Sequence, residues 1–285
     1  MPEETAGTHK YHAEASALKG SLKLPIAQEI EPQAHTKLPE RGGYLTQRID
    51  LYRLESIISF RSAYTHVGGN LSDKPGGGAT TLTTTVVEGL NVLEVVTADR
   101  VVGQMITEHP PEGHKRYIPS ISFLGTRFEN LRIAGYPIQL EFDQGIFGPN
   151  RVDDVPYTHE PGFVSRVSRQ YERILDDKNL PVKHQERYNR LSSTLGNSEE
   201  VECSLINQVA GFLPGRAAIF GNVITIPGFG TITLAKLTVK HENPHEETKV
   251  PKKTTFTLTM IDLDLGCVVS GGVPIGNGNS NGTPG

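Results

Sequence analysis

Residues 80–108, TTLTTTVVEGLNVLEVVTADRVVGQMITE, constrain the fold more than any other stretch of the chain. Threonine and valine pack well on a pleated surface and are stiff at χ1 in a helix, so a run this dense in them reads as strand. A strand usually spans about 5–6 residues, so the run must be divided. Gly89 and Gly103 are the expected bends or bulges. Period-two alternation marks further strands. Ala13, Ala15 and Ala17 alternate with His12, Glu14 and Ser16, and over 51–65 Ser56, Ile58, Phe60 and Ser62 alternate with Glu55, Ile57, Ser59 and Arg61. ISFLGTRF at 121–128 and NLRIAGYPIQLEFD at 130–143 continue the pattern, while SDKPGGGAT at 72–80 reads as a turn or loop.

Composition then changes along the chain. Residues 151–202 hold ten acids and eight bases, and within them Val164, Val167, Tyr171, Ile174 and Leu175 recur at helical spacing behind Pro161 and Gly162. RYNRLSSTLG at 187–196 reads as a second short helix. Residues 203–239 contain no acid and only Arg216 and Lys236, which is core strand text. A charged loop at 241–253 precedes a last strand at 255–269. The expectation is a mainly β protein, an antiparallel β-sandwich with a barrel as the alternative, carrying a short helical insertion. Residues 1–10 are expected to be disordered and 11–270 to form one β domain with the insertion at 150–200. The Gly/Asn-rich end, 271–285, is expected to be a disordered tail.

IAGYPIQLEF, GNVITIPGFGTITLAKLTV and TTFTLTMIDLDLGCVVSGG, preceded by the Val/Thr-rich Val92–Met105, together resemble bacterial choice-of-anchor P family proteins. The resemblance implies a secreted or surface-displayed β domain without an assigned activity, and it supplies no catalytic residues. The chain departs from that pattern in its charged insertion, and it shows no leader and no C-terminal anchor. The acid-rich start MPEETAGTHK lacks an apolar signal region, which points to the cytoplasm, with the cell surface as the alternative that the resemblance implies.

Chemistry-bearing patterns are sparse. Asp262 and Asp264 share one face of a regular strand, and Glu141 and Asp143 have the same spacing. Two such pairs would supply hard oxygen ligands for calcium, or paired acids for hydrolysis. Phe256, Leu258 and Met260 share the parity of the aspartates, so a bulge or change of exposed face is required near Met260. His241 and His245 have helical metal-ligand spacing, but Pro244 between them argues for a solvated loop. His109 and His114 flank a Pro-Pro turn and are too few to hold a metal. Cys203 and Cys267 lie in apolar text and read as buried thiols, with one disulfide as the alternative. No Gly-x-Ser-x-Gly elbow occurs. With 28 bases against 32 acids there is no basic field for nucleic acid. No apolar run reaches the length of a transmembrane segment. The function expected is therefore a non-catalytic structural or binding role, as a bacterial surface or assembly component that self-associates or binds a protein partner. A metal-dependent hydrolase or lyase/isomerase acting in a β cavity, and a small-ligand binding module, are the alternatives.

Overall fold

The computed structural model describes residues 9–24, 27–72, 77–111, 118–148, 155–244, 251–266 and 270–283. The strands run in chain order as β1 (Lys10–Leu24), β2 (Gln28–Gln33), β3 (Thr36–Lys37), β4 (Gly43–Leu54), β5 (Ile58–Leu71), β6 (Ala79–Val92) and β7 (Val96–His109). Short strands follow: β8 (Ser120–Ser122), β9 (Arg127–Glu129), β10 (Arg132–Ile133), β11 (Tyr136–Pro137) and β12 (Gln139–Phe142). Two helices come next, α1 (Pro161–Leu175) and α2 (Val182–Thr194). The chain returns to strand as β13 (Glu200–Ser204), β14 (Ile206–Ala210), β15 (Ala218–Phe220), β16 (Val223–Ile226), β17 (Gly230–Pro244), β18 (Pro251–Leu265) and β19 (Ser270–Thr283).

The strands form two large antiparallel sheets. One has the order β15-β16-β17-β18-β19-β1-β2, with β13 beside β17 and β3 beside β1. The other has the order β11-β10-β7-β6-β5-β4, with β8 and β9 on β7. β12 and β14 make a separate pair. The large sheets lie face to face, β1 and β19 against β5, β6 and β7, and no sheet closes into a barrel. The protein is thus mainly β, an antiparallel sandwich with two short helices.

The Thr/Val run is two strands, and its division differs from expectation. Leu93, Glu94 and Val95 join β6 to β7; Leu93 (φ 51°) and Glu94 (φ 57°) are both left-handed, as the centre of a type I′ turn requires, and Val95 N donates to Val92 O at 2.9 Å. Asn91 Oδ1 accepts from Glu94 N at 2.8 Å and supports that turn. Gly103 lies within a strand instead, and an added Cβ there would stand 2.9 Å from Met260 Cγ of the facing sheet.

The largest correction concerns the chain end. The tail expected to be disordered over 271–285 is, through Thr283, the strand β19, seated between β18 and β1. Its glycines serve close packing. A Cβ on Gly278 would meet Thr83 Cγ2 at 2.7 Å, and one on Gly276 would meet Met260 Cγ at 3.2 Å. Sandwich sheets usually stand about 10 Å apart, with side chains from both faces between them. Here threonines reach the backbone of the opposite sheet directly. Thr83 Oγ1 donates to Asn279 O and Thr85 Oγ1 to Asn277 O, each at 3.2 Å, and Thr107 Oγ1 and Ser280 Oγ share a bond of 2.9 Å. A Thr-rich face and a Gly/Asn strand are two halves of one contact. Of the amino-terminal segment expected to be disordered, residues 1–8 lie outside the described residues, and Lys10 already begins β1.

Both sheets carry a transverse crease. In the first, Ala17, Gly276, Met260 and Ala235 stand level across β1, β19, β18 and β17. Gly276 (φ 64°) and Ala235 (φ 44°) are left-handed there. In the second, Leu51 (φ 54°), Arg61, Gly89 (φ 63°) and Asp99 are level across β4 to β7. Burial parity switches at each line. On β18, Phe256, Leu258 and Met260 are buried before it and Ile261, Leu263 and Leu265 after it. The change of exposed face required near Met260 is therefore present, shared by four neighbouring strands.

The charged insertion forms the two expected helices. Pro161 takes the first helical position, and the Glu160 carboxylate accepts from Gly162 N and Phe163 N to cap α1. Phe163, Val167, Tyr171 and Ile174 make its buried face. Phe163 stacks on Phe147 with centroids 4.9 Å apart, and Phe147 also meets Tyr157 and Phe256 edge-on. The insertion is thereby fastened to β18.

Candidate functional site

The four acids singled out as metal ligands each have a separate partner. Glu141, on β12, accepts from Asn207 Nδ2 at 3.0 Å. Asp143 follows the same strand and accepts from Gly145 N at 3.1 Å. Asp262 pairs with Lys236 of β17, and Asp264 with Lys183 of α2 at 2.6 Å. Among the described residues no three His, Cys, Asp or Glu side chains gather as a metal-ion group. The reason is topological: β12 pairs with β14 outside the large sheets, and lysines from neighbouring elements take the β18 aspartates.

The histidine readings change as well. His241 is a buried strand residue, not part of a solvated loop, and its Nδ1 shares a hydrogen bond with Thr254 Oγ1 at 2.9 Å. His245, His114 and Cys267 lie outside the described residues. Cys203 is a buried free thiol, and burial pushes its pKa up, away from nucleophilic use. It borders a small crevice of about 10 Å³ between α1, α2 and β13, beside Tyr171, Tyr188 and Glu202. Burial raises the Tyr188 hydroxyl to about 12, so both tyrosines stay neutral hydrogen-bonding groups. A second gap, near Met105 and Gly276 between the sheets, leaves no room even for a water molecule. Neither approaches the roughly 300–1,000 Å³ of small-molecule pockets.

His184, at the start of α2, is buried and shares a 3.3 Å contact with Thr231 Oγ1. Burial first, then Lys183 and Arg187, lowers its pKa below the ordinary 6.5. Protonation then favours the unfolded chain, whose imidazole keeps the higher pKa, so stability falls as pH drops below 6.5. In urea melts at pH 7.5 and 5.5, His184→Gln is expected to lose less stability between the two than the wild type. An equal loss in both would contradict that role.

What distinguishes the surface is the outer strands of the two large sheets, where β4 among the described strands differs from the rest. An exposed edge strand offers unpaired N–H and C=O groups to another strand, so proteins protect such edges. β2 carries Glu29, Glu31 and Pro32. β11 and β15 are two and three residues long. β13 is sealed by α1: the Gln170 amide donates to Ser204 O at 2.9 Å and accepts from Ser204 N at 3.0 Å, and Tyr171 OH donates to Glu202 O.

β4 lacks the proline, the shortness and the helical cover, and only the charges of Arg48, Asp50 and Arg53 and the left-handed Leu51 guard it. It is twelve residues long, GYLTQRIDLYRL, and pairs only with β5 among the described strands. Only Ile49, Tyr52 and Leu54 are half-buried; the rest are exposed, Leu51 at 78% and Tyr44 at 64%. Tyr44 stacks on His66 at 6.0 Å, and Tyr52 on Phe60 at 5.1 Å, so the aromatic rings are ordered against β5. Arg48 Nη2 and Asp50 Oδ1 are 2.8 Å apart on one face. Leu51 holds a left-handed conformation that costs a non-glycine residue on the order of 1–2 kcal/mol. The sequence reading missed this strand. Its signal was the alternation of Leu45, Ile49 and Leu51 with Thr46, Arg48 and Asp50, which changes phase between Leu51 and Tyr52.

The fold and its edge define a class: an antiparallel β-sandwich with one long, uncovered edge strand. The chain belongs to the family described as Domain of unknown function (DUF8256), whose model matches residues 9–240. No match was found to a curated protein or to a solved structure. No helix among the described residues is long and apolar enough to cross a membrane.

Proposed function

We propose that the protein is a non-catalytic assembly module that joins a second copy of itself, edge to edge, through β4. The observation that carries this reading is the contrast between β4 and the other sheet edges, which are short, acidic and proline-bearing, or covered by α1. Charge complementarity selects a second copy as the occupant. In an antiparallel pair centred on Ile49, Arg48 of each copy faces Asp50 of the other, and Tyr44 faces Leu54. Ion pairs and apolar contacts then repeat on both sides of the two-fold axis, as an isologous interface requires. A surface-displayed β domain, as the choice-of-anchor resemblance implies, would use such an edge to join its neighbours.

Light scattering after size exclusion tests the proposal. The wild type is expected to run as a concentration-dependent dimer. Arg48→Asp places acids opposite acids and is expected to weaken dimerisation at least tenfold, and Arg48→Asp with Asp50→Arg restores it. A wild type that stays monomeric at high concentration, or a double variant no better than the single one, overturns the proposal.

A further inference from the structure

Three polar aromatic side chains meet where the start of β1 passes the end of β7. They are His9, immediately before β1, Tyr11 within it, and His109, the last residue of β7. The His9 ring lies 4.7 Å from Tyr11, edge-on, and 4.8 Å from His109, tilted by 54°. Tyr11 is 4% exposed and His109 6%. His9 Nε2, His109 Nε2 and the Tyr11 hydroxyl are all buried without a hydrogen-bond partner. Buried polar atoms are almost always satisfied, so three orphans in one ring cluster point to a missing occupant.

The cluster is also rigidly held. Tyr11 sits in a cradle of two glycines: a Cβ on Gly69 would stand 2.6 Å from its ring and one on Gly42 3.0 Å. Tyr11 N donates to Glu40 O at 2.9 Å. His109 lies in ladder register with Ala79 of β6.

We propose that His9 Nε2 and His109 Nε2, with the Tyr11 hydroxyl as third donor, form a binding site for a divalent transition-metal ion of the zinc class. Imidazole donors suit zinc, cobalt, nickel and copper, whereas calcium and magnesium prefer carboxylate and carbonyl oxygens. The spacing agrees. With metal–nitrogen bonds of about 2.0–2.1 Å, two imidazoles on one tetrahedral ion stand roughly 5 Å apart, centre to centre. The site is independent of the β4 edge and requires none of the four carboxylates.

Cobalt and zinc titrations of the full, tag-free, chelator-treated chain test the site. Cobalt is expected to bind at one equivalent with visible d–d absorption, and zinc to displace it. His9→Gln and His109→Gln are each expected to lower affinity at least tenfold, and Tyr11→Phe to shift the cobalt spectrum. His9 precedes the strand, so His9→Gln tests the site even where His109→Gln perturbs folding, which circular dichroism reports. Absence of one-equivalent binding, as when an ordered water satisfies the three atoms instead, overturns the proposal. So does unchanged affinity in His9→Gln, or displacement of cobalt by equimolar calcium.

Discussion

A chain lacking residues 270–285 is expected not to fold. β19 lies between β1 and β18 and forms a ladder with each, so its loss opens the middle of the first sheet. Val273 and Ile275 are fully buried, and their removal uncovers apolar neighbours such as Ala15, Ala17, Leu258 and Ile261. Thr83, Thr85 and Thr107 would lose their inter-sheet partners. Two ladders and the apolar burial of a central strand are lost at once, against a domain stability of only roughly 5–15 kcal/mol. The truncated chain should be insoluble on expression or lack a cooperative thermal transition. A soluble truncated protein with the wild-type circular dichroism spectrum and melting transition would refute the central placement of β19.

Phe163→Ala is expected to destabilise the protein by about 3–5 kcal/mol, the usual cost of truncating a buried phenylalanine. Phe163 is fully buried and joins α1 to Phe147, Tyr157 and, through Phe147, to Phe256 of β18. The lost area and the cavity would loosen the docking of both helices. Phe212→Ala is the matched control: that ring is 69% exposed, so its removal should change stability by less than about 0.5 kcal/mol. Urea unfolding of the two variants gives the comparison. A loss below about 1 kcal/mol for Phe163→Ala would mean that the insertion does not belong to the cooperative core.

Local chemistry made much of the fold legible. Thr/Val density marked β6 and β7, helical spacing and Pro161 marked α1, and the parity conflict at Met260 marked the crease. Where the reading failed, the deciding contact was distant in sequence. Glycines and asparagines at 271–283 resemble a flexible tail until the threonines they pack against, in β6 and β7, are brought opposite. Leu93 and Glu94 gave no turn signal because neither residue favours positive φ; the pairing of β6 with β7 imposes it. The acids at 141, 143, 262 and 264 were visible as pairs, but the asparagine and lysine partners of Glu141, Asp262 and Asp264 come from other elements, and Asp143 is taken by Gly145 N. The site of His9 and His109 was invisible for the same reason, since these residues stand at opposite ends of a long stretch of chain.

The crease has a consequence for how the strands find their alignment. Alternation alone would let a strand slide by two residues and still bury the same face. In this sandwich such a slide would carry Gly276 away from Met260 and Ala235, or Gly89 away from Leu51, leaving a left-handed residue beside a neighbour of ordinary pleat. Each sheet thus carries an index mark that only one alignment satisfies. Strands of fourteen or fifteen residues, among them the first and last of the fold, can then pair without the ambiguity that a uniform pleat would allow.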